Sequence, residues 1–451
     1  MRRLCIILLG ILSVSSSVRA QETMRMSLNE CMDYALKHNY NVKNARIDVL
    51  IQTIQNKETL SASYPHINGK AEFDDFYVPQ STFIDASTFA FPGSPAAPKG
   101  TIEALNFTLP YAASASVTTS QLLFDGAVFV AWKARNSVLE FARKNQEVTE
   151  ENIRYNVYKS YNSLVIAYRQ YSIISSSLSY ARSLQHDLEI TRQNGFAEKI
   201  DVERTDVQVN NLATDSIRIG NMLLISEDAL KYQIGMDMNN KLVLTDTMVE
   251  QRKQAALDLL VQEKSYDRVP EYSALTSALT LNQYNLKRYQ LAALPSLNAF
   301  WSYGSNYGST RASDMFLFNR YSPSSVIGIQ LNVPIYNGSL RHYQVQEAKM
   351  NIEKSENNLA IMKLTIDFQV SQSRTTLKNA ILQAQSQHRN MDLADDVLDL
   401  AQKKYKAGVG SNLEVTQAQT DQLRAQTNYF SALLDITNAE ADLKKALGLL
   451  K

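Results

Sequence analysis

Proline is missing from two long stretches of this sequence, and cysteine is almost missing from all of it. The ten prolines fall at 65–110, 270–295 and 323–334, so none occurs from Tyr111 to Val269 or from Ile335 to the end. Because proline breaks helix interiors, the gaps mark two helix-permissive blocks and leave the blocks around them for something else. Glycine is absent too between Gly126 and Gly195, and again between Gly338 and Gly408. A continuous helix from Ala127 to Gln193 would run ~100 Å at 1.5 Å per residue. Compact globular domains rarely use helices of that length.

Other absences exclude whole classes of function. Lys+Arg 46 against Asp+Glu 45 leaves a net charge of +1, with no basic surplus to neutralise phosphates, which argues against a nucleic-acid binder. The five histidines, His38, His66, His186, His342 and His388, are scattered, with no second histidine or cysteine at i+3 or i+4. No G-x-S-x-G, phosphate-binding glycine loop or dinucleotide fingerprint is present, so nothing points to an enzyme, a cofactor or a metal.

The first twenty residues read as a secretory leader. Arg2 and Arg3 precede an apolar run from Leu4 to Val14, and Val18-Arg19-Ala20 supplies a cleavage site after Ala20. That run is too short to cross a bilayer, which takes ~20 apolar residues. Without Arg2, Arg3 and Arg19 the 46 basic residues fall to 43 against 45 acidic ones, a charge of −2. Cys5 leaves with the leader, so Cys31 has no intrachain partner and no disulfide framework holds this exported chain. No run of eighteen apolar residues follows, so the mature chain enters a membrane only as strands, if it enters one.

The remaining residues show a chain built twice. Each helix-permissive block ends at a glycine-bearing turn, Gln193-Asn194-Gly195-Phe196 and Lys406-Ala407-Gly408-Val409, and a second helical stretch returns from Ala197 to Ile234 and from Ser411 to Leu447. Glycine just past a helix end is the expected left-handed cap, which predicts two long antiparallel helical hairpins. Leu123-Phe124-Asp125-Gly126 matches Ile335-Tyr336-Asn337-Gly338, and Asn194-Gly195 with Ile200-Asp201-Val202 matches Ala407-Gly408 with Leu413-Glu414-Val415. Tyr64-Pro65-His66-Ile67-Asn68 likewise matches Leu294-Pro295-Ser296-Leu297-Asn298. Order and spacing are kept, as in a tandem duplication. The boundaries expected are a leader at 1–20, a first repeat at 21–235, a joint at 236–269 and a second repeat at 270–451.

Strands are expected ahead of each hairpin. Ile327, Ile329, Leu331, Val333 and Ile335 alternate with Val326, Gly328, Gln330, Asn332 and Pro334, and Pro295 to Tyr307 alternates too. Ile67 to Val78 and Leu109 to Phe124 form the corresponding pair and alternate less cleanly. Turn-forming loops join them at Pro79–Gly100 and Gly308–Pro323, while Ser27-Leu28-Asn29-Glu30 is a capping box opening a helix through Lys37. Four strands cannot close a pore, and an open sheet edge is not viable in lipid, so a membrane reading needs further copies. Helices whose apolar stripe is diluted by Gln, Asn, Ser and Thr fit the wall of a water-filled tube, and fit an exposed coiled-coil rod equally. A periplasmic coiled-coil scaffold or adaptor without a pore is therefore the alternative function, and the strands favour the tube. Trp301 and Tyr303 are the candidates for a lipid-interface belt.

This succession resembles the TolC-like outer membrane factor family, also called outer membrane efflux proteins. The residues that carry the resemblance are Ser27 to Leu36, Leu294-Pro295-Ser296-Leu297, Val333 to Gly338 and Tyr405 to Val415, in order and in both halves. It implies a mixed α and β membrane protein with four transmembrane strands and long helical hairpins per chain. Three copies would close a 12-stranded barrel continued by a periplasmic helical barrel. It also implies an outer-membrane location in a Gram-negative cell. The function implied is the exit duct of a tripartite efflux or type I secretion system, with a periplasmic adaptor and an inner-membrane pump as partners.

Family members meet the adaptor at the glycine turns, which places docking at Gly195 with Phe196 and at Gly408 with Val409. They line the periplasmic entrance with acidic residues a few positions on, which places the gate at Asp201 and Glu414. Carboxylates in a helix's first turn are also what its dipole favours. Gln417 stands where the family's best-known member has a second acidic residue, and Gly410 where it has an arginine.

Overall fold

The computed structural model describes residues 23–88, 98–246 and 253–450, and the leader expected at 1–20 lies outside them. The chain falls into two compact units: Met1–Ile51 with Leu139–Ala278 and Ser355–Lys451, and Gln52–Val138 with Leu279–Lys354. Each draws on both halves of the sequence.

The second unit is organised around one sheet. Its strands are β2 (His66–Asp75), β5 (Tyr111–Phe124), β7 (Ser296–Ser309) and β8 (Ser322–Asn332), all antiparallel, in the order β2-β5-β7-β8. The pairs expected from each half thus sit side by side in one sheet. Register sets its two faces, because side chains alternate along a strand. Ile67, Thr119, Trp301 and Ile327 share one row, and Gln121, Ala299 and Ile329 the next. The opposite face carries Asn68, Thr118, Ser302 and Val326, then Lys70, Ser116, Gly304 and Ser324. One face is mainly apolar and the other mainly polar, and both are open: Ile327 is 84% exposed and Ile329 70%. On the polar face Phe300 lies over Gly328, where a Cβ would meet its ring at 2.7 Å.

The strand bounds shift from those expected, for reasons proline supplies. β8 begins at Ser322, not Val326, because Pro323 lies in an edge strand, where a missing N–H need not break a ladder. It ends at Asn332, so the alternation through Val333, Pro334 and Ile335 continues past the ladder. The stretch at 79–100, expected as loop, holds β3 (Ser81–Asp85), which pairs with β4 (Ile102–Asn106) in a separate two-stranded ribbon.

The helices are numbered along the chain. α1 (Leu28–His38) opens at the expected capping box: Ser27 N–H donates to Glu30 Oε2 at 2.7 Å, and Glu30 N–H to Ser27 Oγ at 3.4 Å. α2 (Tyr40–Ser61) follows without a separate signal in the sequence reading. α3 (Gly126–Gln193, 68 residues) and α4 (Lys199–Ile234, 36 residues) form the first hairpin. α7 (Leu340–Lys406, 67 residues) and α8 (Asn412–Ala446, 35 residues) form the second. The near-identical lengths are the duplication in structural form. Between them lie α5 (Lys253–Leu260) and α6 (Pro270–Leu291). The proline block that starts at 270 is thus largely helical: Pro270 is the first residue of α6, where the missing N–H costs nothing.

The joint contains order that the sequence did not announce. β1 (Thr23–Met26) pairs in parallel with β6 (Lys241–Leu244), and Leu28 N–H donates to Asp246 Oδ2 at 2.9 Å. Beneath this ribbon Leu28, Cys31, Ala35 and Val42 pack with Val157, Tyr161, Leu230 and Ile234 in one core of the first unit. A second core joins Ile366 and Leu377 of α7 to Ile436, Leu443 and Leu447 at the chain's end. Part of the polar dilution of the helix faces is taken up by hydrogen bonds between helices. Buried Gln419 accepts from Gln208 Nε2 at 3.1 Å and donates to the Ser177 carbonyl at 3.2 Å. The pairing removes the cost of burying an amide.

Candidate functional site

The turns that close the two hairpins, both in the first unit, have the same construction. Gly195 has φ +82° and Gly408 φ +74°, a left-handed conformation that glycine adopts without a Cβ penalty. Phe196 N–H donates to the Thr191 carbonyl and Val409 N–H to the Lys404 carbonyl, each at 3.0 Å. This is the six-to-one bond that ends a helix in a Schellman motif. The bond leaves Phe196 and Val409 pointing outward, 85% and 78% exposed. Among the described residues neither side chain belongs to a buried cluster of the first unit.

Just beyond the turns, the first turns of α4 and α8 meet. Asn412, buried, donates through Nδ2 to the Asp201 carbonyl at 3.3 Å and to Thr205 Oγ1 at 3.4 Å. Leu184, Leu188 and Val202 pack with Leu398 and Val415 behind them. Asp201 and Glu414, matched residues of the two repeats, are thereby placed on the first turns of two helices in hydrogen-bonded contact. Ser411 caps α8, its Oγ accepting from Glu414 N–H at 3.2 Å. Glu198 stands at the corresponding cap of α4 without a side-chain bond.

Three neighbours were not read from the sequence. Gln417 Nε2 donates to Asp421 Oδ2 at 3.1 Å, so a carboxylate stands one turn beyond the position where an acid was found missing. Glu414, Gln417 and Asp421 are all exposed and share the i, i+3, i+7 face of α8. On α4 the corresponding face reads Asp201, Arg204, Gln208, so the repeats diverge here. Tyr405 is the third: burial raises its hydroxyl above the usual tyrosine range, and the charges of Asp201 and Asp187 add to this. Asp421 was legible as an acid at seven-residue spacing from Glu414. Asn412 and Tyr405 were read only as members of the motif Tyr405 to Val415, since their own part comes from contact between the repeats.

In the second unit, Trp301 and Tyr303 both lie on the apolar face of the sheet. They are the sixth and eighth residues of β7, and Trp301 Nε1 donates to Ser325 Oγ at 3.0 Å. Phe73, Tyr111 and Tyr307 stand on the same face toward the strand ends that carry the loops, with the Phe73 and Tyr111 rings stacked at 6.4 Å. Among the described residues no helix is long and apolar enough to cross a membrane, and no group of three or more His, Cys, Asp or Glu is placed to hold a metal ion.

Comparison with known proteins agrees with this arrangement. Residues 271–449 match the Outer membrane efflux protein family. The probable efflux pump outer membrane protein TtgC of Pseudomonas putida is 28% identical over 185 residues, covering 40% of this chain and 37% of its own. The match thus spans little more than a third of that relative's length. The outer membrane protein TolC of Salmonella enteritidis is 21% identical over 347 residues, 75% of this chain and 69% of that one. Among solved structures, the Campylobacter jejuni CmeC outer membrane channel superposes with a TM-score of 0.69 at 18% identity, over 93% of this chain and 85% of that one. At that identity the likeness speaks for the fold. The matched second half, the repeated order of strands and hairpins, and a shared fold over nearly the whole chain set this protein beside the outer membrane efflux proteins and outer membrane channels as what it resembles.

Proposed function

We propose that three copies of this chain close into a channel through the outer membrane. The channel serves as the exit duct of a tripartite efflux or type I secretion system, conducting substrates passively. The observation that carries the reading is the sheet. It has two unpaired edges, β2 and β8, of 10 and 11 residues. Its apolar face would meet lipid, and its polar face would line water. An open edge cannot stay in hydrocarbon, so β8 of one copy pairs with β2 of the next, and three copies give twelve strands. Strands of this length suit a bilayer, which ~9–11 tilted residues cross.

The helical hairpins then extend into the periplasm. Their turns, with exposed Phe196 beside Gly195 and Val409 beside Gly408, offer apolar knobs to the helices of a periplasmic adaptor, which couples the duct to an inner-membrane pump. Asp201 and Glu414, with Gln417 and Asp421, line the entrance, where a ring of carboxylates concentrates cations. Trp301 and Tyr303 contribute to the aromatic contacts with lipid.

The test is the mass of the purified chain in detergent, corrected for bound detergent, with electron-microscope images of the particles. Three copies carrying a helical stalk are expected. A water-soluble monomer or dimer would sink the barrel and favour the periplasmic coiled-coil scaffold.

A further inference from the structure

The four-stranded sheet carries its charge on one strand. On its polar face the formally charged residues are Lys70, Glu72 and Asp74, all on β2. The same face of β5, β7 and β8 is built from Ser, Thr, Asn, Gln, Gly and Ala, with Leu122, Phe300 and Val326 as its apolar members. Register shows what surrounds the charges. Lys70 is level with Ser116, Gly304 and Ser324, Glu72 with Ser114, Asn306 and Ser322, and Asp74 with Ala112 and Gly308. No neighbour in these rows is longer than asparagine, so the charged side chains stand above them. Lys70 Nζ meets Glu72 Oε2 at 2.6 Å, which leaves Asp74 without an ion pair of its own.

Charge on an edge strand often serves to block unwanted pairing. That reading does not fit here, because the other edge, β8, carries no charge at all on either face. Resting on the proposed barrel, we infer that Lys70, Glu72 and Asp74 form a charged element of the channel lumen, separate from the periplasmic entrance, that biases conduction toward cations. Three copies place three such columns at the subunit seams, each bordered by the uncharged β8 of the neighbour. A carboxylate on a wall backed by lipid focuses its field into the water of the pore. Lys70 tempers this by neutralising Glu72, so the column keeps a net charge of −1 and its lysine and its carboxylates pull the selectivity in opposite directions.

The opposite signs give the test. Reversal potentials are measured under a KCl gradient in planar bilayers with the full mature channel, Asp201 and Glu414 left intact. Asp74→Asn is expected to lower the cation-over-anion permeability ratio about twofold, and Lys70→Gln, which frees Glu72, to raise it by a similar factor. Asp74→Cys, treated in the bilayer with an anionic thiol reagent, is expected to recover the original ratio within one conducting channel, so a folding defect cannot mimic the result. Normally conducting variants with an unmoved reversal potential would overturn this inference and leave the barrel standing. A parent chain that forms no conducting channel would overturn the barrel and this inference with it.

Discussion

At the scale of single residues, Cys31 shows how position decides chemistry. It lies fully buried in the core under the β1–β6 ribbon, and that burial, with the charges of Glu30 and Asp246 adding, pushes its thiol up to about 12. A raised pKa means the neutral thiol is the form the fold accommodates. Its contribution is complete below the unfolded value of roughly 8.5 and is lost as pH climbs from there toward 12. The folded protein at pH 8 is therefore expected to resist a thiol reagent and to react once denaturant opens the core. Modification of the native protein at the rate of a free cysteine would contradict the burial. The sequence leaves Cys31 without a partner once the expected leader is removed, and the packing shows where the thiol goes, into a closed core. The residues proposed for the entrance were visible in the same partial way. Asp201 and Glu414 follow from the repeat, whereas Asn412 and Tyr405 matter only through contacts between segments some 200 residues apart in sequence.

At the scale of elements, the long helices were readable because proline and glycine forbid what they forbid over dozens of consecutive residues. Short, distant pairings were not. β3 and β4 are five-residue strands among turn formers, and β1 with β6 is a four-residue parallel pair whose partners carry no local sign of each other. Repeat matching also conceals differences. Gly126 and Gly338 occupy the same motif, yet a Cβ at Gly126 would run into the Leu291 carbonyl oxygen, while Gly338 has φ +66° and open space around it. The first glycine permits close approach of α3 to the end of α6, and the second permits a left-handed turn. Gly126→Ala is thus expected to abolish or sharply reduce folded protein, because backbone cannot step aside. Gly338→Ala is expected to cost about 1–2 kcal/mol, seen as a modest fall in melting temperature. Equal losses would mean that the two glycines serve one purpose.

At the scale of the whole molecule, the alternation in the strands and the doubled hairpins left a pore and a coiled-coil rod both open, and the resemblance to outer membrane factors favoured the pore. What sequence withheld was the order β2-β5-β7-β8, which makes one strand of each repeat an edge, the two edges that the proposed barrel pairs between copies. If the entrance reading holds, Asp201→Ala combined with Glu414→Ala reduces cation preference in planar bilayers. An unchanged reversal potential under a salt gradient would remove both residues from the entrance.

The ribbon formed by β1 and β6 sets a timetable. Thr23–Met26 and Lys241–Leu244 become neighbours only when both have been made, and the Leu28–Asp246 hydrogen bond spans 218 positions. A polypeptide crossing the inner membrane N-terminus first therefore delivers its opening segment long before the partner arrives. Until then α1 and the core around Cys31 have no ribbon to close them, so that core is complete only once the chain has been made as far as Asp246.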